Sequence, residues 1–420
     1  MTFIKMHSLT LFIAYIILFS SCSENSPTNT HQLQSEQTTI TLLNNMSQPF
    51  NRSQAIENPI TIQLLNELNE PVADIFTTFQ VIGGDGELIL NNERSRIFNI
   101  YTDAEGKAEV YWIPDNGIEN FLNITITEMD YIAEPTIVCA LVQENDEVFL
   151  RSLKWLETDE FQFPYIGEPY YIEYNSRVLE SNHFLIFSDE SPDDIKLGFA
   201  ALAEDALYKF KTAYEIDYTD LGIFNTNTKI MGYTCKNRYI NDPQMFATNN
   251  GFLIYGKDSQ RWDTWPGYNL EIYRNVLEHE LTHLMQFRMG ALFHLCESWF
   301  VEGIAEYMSG GVHTPITSSS SFNQWRSHPD HTTNPIDAIS LNDLSVPLSR
   351  AAEYYPTFHL AVKYLLDSDE INRSVFDVKD MFFEIAGGAG FDTAFGNCFG
   401  ITIEYFRDNY YELMIHFLNN

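Results

Sequence analysis

The sequence predicts a multidomain chain: an N-terminal all-β sandwich, then an α+β domain whose C-terminal part is mainly helical. Three observations predict it. Residues 38–143 are short strand-like runs separated by turn signals. Residues 181–307 read as strand, long amphipathic helix, strands and two further helices. From residue 351 onward the pattern is mostly helical. At 420 residues the chain can bury a large core and form about two domains.

Residues 1–21 carry Lys5 and an apolar core from Leu9 to Phe19. That core is too short to span a bilayer and reads as a secretory signal. It ends Leu18-Phe19-Ser20-Ser21-Cys22. Small residues before a cysteine resemble the bacterial lipoprotein cleavage box. The resemblance implies that Cys22 becomes a lipid-modified N-terminus, holding an exported protein at the cell envelope, on the periplasmic or the surface face of the outer membrane. The alternative is a plain signal peptide cut nearby, with Cys22 a thiol. Residues 22–37 are rich in Ser, Asn, Thr and Gln and read as a flexible tether.

The strand-like runs of 38–143 include Ile60–Leu64, Phe76–Val81, Ala108–Trp112 and Leu122–Ile126. Gly83-Gly84-Asp85-Gly86 and Asp103-Ala104-Glu105-Gly106 punctuate them. Asn69-Glu70-Pro71-Val72, Gly84-Asp85-Gly86 and Thr102–Ala108 resemble the invasin-type bacterial immunoglobulin-like (Ig-like) domains. No catalytic constellation is visible there, so the expected role is a spacer. Residues 144–180 are aromatic and acidic and read as a connector packed on the next domain.

The second domain, 181–420, opens with a strand at His183–Phe187. A long amphipathic segment follows from Asp193 to Tyr214, then strands at Lys229–Tyr233 and Gly251–Tyr255. The stretch from Asn275 to Tyr307 contains His279-Glu280-Leu281-Thr282-His283. On a helix, positions i and i+4 share a face, so both imidazoles can reach one metal ion. Glu280 falls beside them, able to act on a water at the ion. A catalytic zinc takes three protein ligands. The next run, Trp299–Tyr307, is also helical, with Glu302 and Glu306 one turn apart. Glu302 is the candidate third ligand. Glu306 is the candidate partner of a ligating histidine's other ring nitrogen.

His-Glu-Leu-Thr-His, eighteen residues, then Trp-Phe-Val-Glu-Gly-Ile-Ala-Glu-Tyr resembles the gluzincin (peptidase MA-like) zinc metallopeptidases. The similarity is greatest to their aminopeptidase branch. The resemblance implies a zincin-like metallopeptidase domain with zinc held by His279, His283 and Glu302 and with Glu280 as general base. In the thermolysin-like branch the residue matching Glu306 bonds the first histidine. Tyr354–Leu365 resembles the aminopeptidase helix whose lead tyrosine donates to the oxyanion. That register implies Tyr355, with Tyr354 and His359 as rival donors. In such folds the last strand edges the cleft and can pair with an extended peptide, which points to Gly251–Tyr255. The aminopeptidase branch reads a free amino terminus through a G-x-M-E-N motif, which this chain lacks. The expected activity is therefore endopeptidase cleavage of a polypeptide substrate at the cell envelope. An aminopeptidase, or a surface-anchored binding protein with an inactive metallopeptidase-like domain, is the alternative.

Residues 312–350 read as loop, including His328, His331 and Asn334-Pro335. The net charge of −34 argues against nucleic acid as a partner, since phosphate binding needs a basic surface. After Cys22, the scattered Cys139, Cys235, Cys296 and Cys398 form no zinc-ribbon pattern and leave a disulfide among the last three open. The oligomeric state is not encoded in these patterns.

Overall fold

The computed structural model describes residues 36–43, 48–49, 55–115, 120–126, 128, 131–142, 147–156, 178–188, 193–215, 229–235, 246–247, 251–255, 270–290, 295–313, 315–327 and 348–420. The expected leader, Cys22, most of the tether and connector, and His328, His331 and Asn334-Pro335 lie outside the described residues. No described helix is long and apolar enough to cross a membrane.

The first part is built from β1 (Glu36–Leu42), β2 (Gln48–Pro49), β3 (Ile60–Asn66), β4 (Phe76–Gly83), β5 (Glu87–Leu90), β6 (Glu93–Ser95), β7 (Ile97–Tyr101), β8 (Lys107–Ile113), β9 (Asn120–Ile126), β10 (Tyr131–Ile132) and β11 (Thr136–Val142). One six-stranded sheet runs β10-β1-β3-β8-β5-β6. Its inward residues, such as Ile40, Ile62, Leu64 and Val110, share a core with Phe79, Leu122, Ile124 and Val138 of β4, β9 and β11. Two sheets facing across one apolar layer make a sandwich, as the short alternating runs imply. β8 shows that alternation plainly, with Ala108, Val110 and Trp112 buried between exposed neighbours.

The second sheet does not stop at the end of the sandwich. It continues through β12 (Glu147–Leu156), β13 (Val178–Glu180), β14 (Phe184–Ser188), β15 (Ile230–Cys235), β17 (Gly251–Tyr255) and β16 (Phe246–Ala247). The order is β16-β17-β15-β14-β13-β12-β11-β9-β4-β7, with β2 pairing β12. The segment read as a connector therefore supplies two strands that join both halves in one sheet. Successive side chains of a strand point to opposite faces. In β11, Val138 and Ala140 enter the sandwich core, whereas Ile137, Cys139 and Leu141 enter the core beneath the helices. In β12, Val148 and Leu150 face one way, and Phe149, Leu153 and Trp155 the other. Both faces are buried, so β11 carries no polar alternation.

The helices are α1 (Asp193–Tyr214), α2 (Leu270–Arg288), α3 (Ser298–Met308), α4 (Ser319–Arg326), α5 (Leu348–Asp367), α6 (Val375–Ala386), α7 (Phe391–Phe399) and α8 (Ile403–Asn419). β14 is parallel to β15, and β15 to β17, with α1 between the first pair in sequence. The expected edge strand, β17, is not the edge along its whole length: β16 pairs antiparallel with Phe252 and Leu253. Phe199 of α1 stacks on Phe252 of β17, with ring centroids 5.5 Å apart. A Cβ at Gly232 would lie 2.7 Å from Cδ1 of Ile186 and 2.8 Å from that Phe199 ring, so β15 keeps a glycine where β14 and α1 both crowd it. Cys296 and Cys398 are thiols rather than disulfide partners. Burial pushes both up to about 12, a nearby carboxylate (Glu297 or Asp377) adding to it.

Candidate metal centre

α2 is tied to α1 before it delivers its histidines. Lys209 of α1 pairs with the fully buried Glu278, and Arg274 lies 3.6 Å from Asp205. Leu277, Leu281 and Leu284 bury the opposite stripe of α2 against the sheet and helices. Gly290, two residues past the end of α2, has φ of +84°, which suits a left-handed stop. α3 then returns across α2. Trp299 packs on Phe395 and Phe406, and Phe300 is surrounded by Phe382, Phe391, Phe395 and Phe399. These two rings pin the start of α3 to α6–α8, and Glu302 follows one residue after Val301.

Three side chains converge. His279 Nε2 and His283 Nε2 each lie 3.2 Å from Glu302 Oε2 and 3.0 Å from each other. Tetrahedral zinc with bonds of about 2.1 Å sets neighbouring ligand atoms roughly 3.4 Å apart, so this spacing fits the ion. Among the described residues this trio alone gathers at least three histidine, cysteine or carboxylate ligands around one point.

The outer contacts decide what the histidines present inward. His283 Nδ1 is 2.8 Å from Gln286 Oε1, and Gln286 Nε2 donates to the Val301 carbonyl at 2.9 Å. That second bond fixes the amide so that its oxygen faces the imidazole. His279 Nδ1 is 3.3 Å from Glu306 Oε1. Gln286 Oε1 accepts a hydrogen bond from His283 Nδ1, and the Glu306 carboxylate facing His279 Nδ1 favours a proton there by charge, so each Nε2 is left to turn a lone pair inward. Two lone pairs and a carboxylate oxygen at one point demand a positive charge between them, a metal ion or a proton. The electrostatics agree. Burial alone would depress the His279 imidazole, but the hydrogen bonds and charges of Glu302 and Glu306 hold it well above the usual histidine range. Burial would raise Glu302, but His283 and His279 hold its carboxyl well below the usual range.

Glu280 is buried at the same place, 6% exposed. Burial pushes its carboxyl up, the two histidines oppose the shift, and Glu302 adds to it. A raised carboxyl is suited to taking and returning a proton near neutral pH.

α5 supplies the facing wall. The Tyr355 ring is 6.0 Å from the His279 ring and 4.8 Å from the His313 ring. Burial, the carboxylates of Glu302, Glu280 and Glu306, and a hydrogen bond to Glu302 hold its phenol well above the usual range. It is thus a neutral O–H donor at ordinary pH. The rival donors sit elsewhere. Tyr354 packs between Trp325 and Phe358 in the core. The His359 ring lies where a Cβ at Gly311 would come within 3.2 Å of its Nδ1, and burial lowers its pKa.

Of the residues expected from sequence, His279, Glu280, His283, Glu302, Glu306 and Tyr355 come together. Two participants were missed. Gln286 carried a readable signal, since a polar residue three positions after a ligating histidine shares its helical face. His313 carried none beyond the Gly310-Gly311 turn before it.

No family model matches this chain, and no curated protein matches it. Among solved structures, a variant of a two-domain M1 zinc metallopeptidase bound to L-arginine aligns at 9% identity with a TM-score of 0.26, over 91% of this chain and 94% of that one. A variant M1 zinc metallopeptidase from Deinococcus radiodurans, bound to a Tyr-Ser-Ala substrate, aligns at 12% identity with a TM-score of 0.26, over 91% and 93%. Likeness this slight decides nothing about the chain's function, which rests on the site itself.

Proposed function

We propose that this chain is a zinc-dependent metallopeptidase cleaving peptide bonds, held at the bacterial cell envelope through a lipid on Cys22. One observation carries the reading: His279 Nε2, His283 Nε2 and Glu302 Oε2 converge within 3.2 Å, with the buried Glu280 beside them. His279, His283 and Glu302 would hold the ion. Zinc bound there supplies Lewis acidity, polarising a water and a peptide carbonyl. Glu280 takes the proton of the attacking water and returns it to the leaving amine. The Tyr355 O–H donates to the carbonyl oxygen as negative charge develops on it. Glu306 and Gln286 keep the two histidines in the tautomer that presents Nε2. The missing G-x-M-E-N motif favours an endopeptidase over an aminopeptidase.

The test is to purify the chain without its leader, measure bound zinc, and profile cleavage of a peptide library. Glu280→Gln should keep zinc and lose turnover by at least about 10²-fold. Undiminished turnover in that variant removes Glu280 as base, and a chain that takes up no zinc overturns the reading. Equal cleavage of free and N-acetylated peptides is the result expected of an endopeptidase.

A further inference from the structure

After α3 the chain reverses through Gly310 and Gly311, with φ of +76° and +91°. That turn folds the next residues back onto Glu306. The backbone N–H groups of Val312 and His313 donate to Glu306 Oε2 at 3.0 and 3.3 Å. His313 Nδ1 lies 3.0 Å from Glu306 Oε1, the same oxygen that faces His279 Nδ1 at 3.3 Å. One carboxylate oxygen therefore bonds His313 and faces His279, a proposed ligand, at ion-pair distance.

The ring of His313 is thereby delivered against Tyr355, edge to face at 4.8 Å with 68° between planes. The Tyr355 ring also meets His279 at 6.0 Å and Phe358 at 6.1 Å. A hydrogen bond to Glu302 holds its O–H beside the histidine pair, and the two ring torsions must stay fixed if that O–H is to pass from Glu302 to a substrate carbonyl at one place. His279 is fixed by Glu306 and Glu302, and Phe358 is buried. His313 closes the third side and is itself only 18% exposed in its side chain.

We propose that His313 is a positioning residue: its imidazole, anchored on Glu306, holds the Tyr355 phenol in the orientation that donates to the developing oxyanion. The inference rests on the peptidase reading above and assigns within it a function to a residue outside the motif. The anchoring bond and the ring contact can be separated. His313→Asn keeps a donor where Nδ1 stands and so keeps Glu306 and the turn, but it removes the ring that touches Tyr355.

The expected result is a kcat lowered about tenfold, with KM changed less than about twofold and zinc content unchanged, since misplacing a group near the reacting atoms acts on turnover. In a Tyr355→Phe background the same substitution should have no further effect, because the group it positions is gone. A wild-type kcat in His313→Asn, or an equal loss in both backgrounds, overturns the proposal. A second measurement is independent of cleavage. Crystal structures of the zinc-loaded wild type and His313→Asn should show one Tyr355 rotamer in the first and a displaced or divided ring in the second. An unmoved ring overturns the proposal. A wild type that binds zinc but cuts no peptide overturns the peptidase reading and leaves the ring comparison to judge the positioning of Tyr355.

Discussion

A Cβ added at Gly303 would stand 2.6 Å from the carbonyl oxygen of Phe358. It would also lie 2.7 Å from Cγ2 of Val362. α3 and α5 thus approach backbone to backbone at the residue after Glu302, and Tyr355 rides on the same α5. The glycine of the Glu-Gly pair has a steric purpose: it sets the gap between Glu302 and the Tyr355 phenol. In Gly303→Ala, helix preference favours alanine by about 1 kcal/mol. Overpacking costs about 1–3 kcal/mol, and here the obstructing atom is a backbone carbonyl that cannot rotate away. The clash should win by about 1 kcal/mol. Cleavage should drop about tenfold, because α5 must shift. Denaturant unfolding and kinetics read both, and an alanine variant matching the wild type in both would show that the helices need not touch.

Glu306 and Gln286 hold the outer nitrogens of the two histidines. Glu306→Gln removes the charge and one acceptor oxygen from a carboxylate that receives Val312 N, His313 N and His313 Nδ1 and faces His279. Gln286→Leu takes the acceptor from His283 Nδ1. Each should weaken zinc binding about 10–100-fold. Competition against a chelator indicator measures it. Unchanged affinity in both variants would mean that the first three ligands orient themselves.

How much of this could be read from the residues follows from how local each constraint is. α1 spans Asp193–Tyr214, as its apolar spacing implied, because one amphipathic face sets both ends. His279, Glu280 and His283 were legible because helical geometry fixes i and i+4. Glu302 needed the family spacing, since eighteen residues could loop in many ways. β12 was unreadable as a strand of a shared sheet. Its two faces enter different cores, so no alternation marks it, and its partners β11 and β13 are set by long-range pairing. His313 was unreadable because its place depends on two positive-φ glycines and on a carboxylate seven residues back.

Zinc should also stabilise the fold. The proposed ligands come from two helices, α2 and α3, so an ion held by them would bind the native chain far better than the unfolded one. At free zinc of about 100 times Kd the gain is about 2.7 kcal/mol. The melting temperature should rise with zinc and fall back with a chelator. A melting temperature indifferent to zinc would mean that the trio does not bind it.

Acid should loosen the joint between the shared sheet and α1. Glu204 is 1% exposed and accepts from Ser181 Oγ at 2.6 Å and His183 N at 2.9 Å. His183 Nδ1 lies 2.8 Å from its Oε2, and Arg151 Nε of β12 is 3.5 Å away. Burial pushes the carboxyl up, but His183, Ser181 and Arg151 together hold it below its ordinary value of 4.5. A carboxyl lowered in the folded state contributes stability that is fully present above its unfolded pKa, and that stability fades as pH falls from there towards the folded value. Near neutral pH, Glu204→Gln should lower stability by about 2 kcal/mol, the worth of a charge-assisted bond. The deficit should shrink below about pH 4, where the wild type begins to lose the same contribution. Urea unfolding of both proteins across that range is the measurement. Two stability curves that stay parallel through the acid limb would show that Glu204 binds its proton equally well folded and unfolded, and the joint would then owe nothing to its charge.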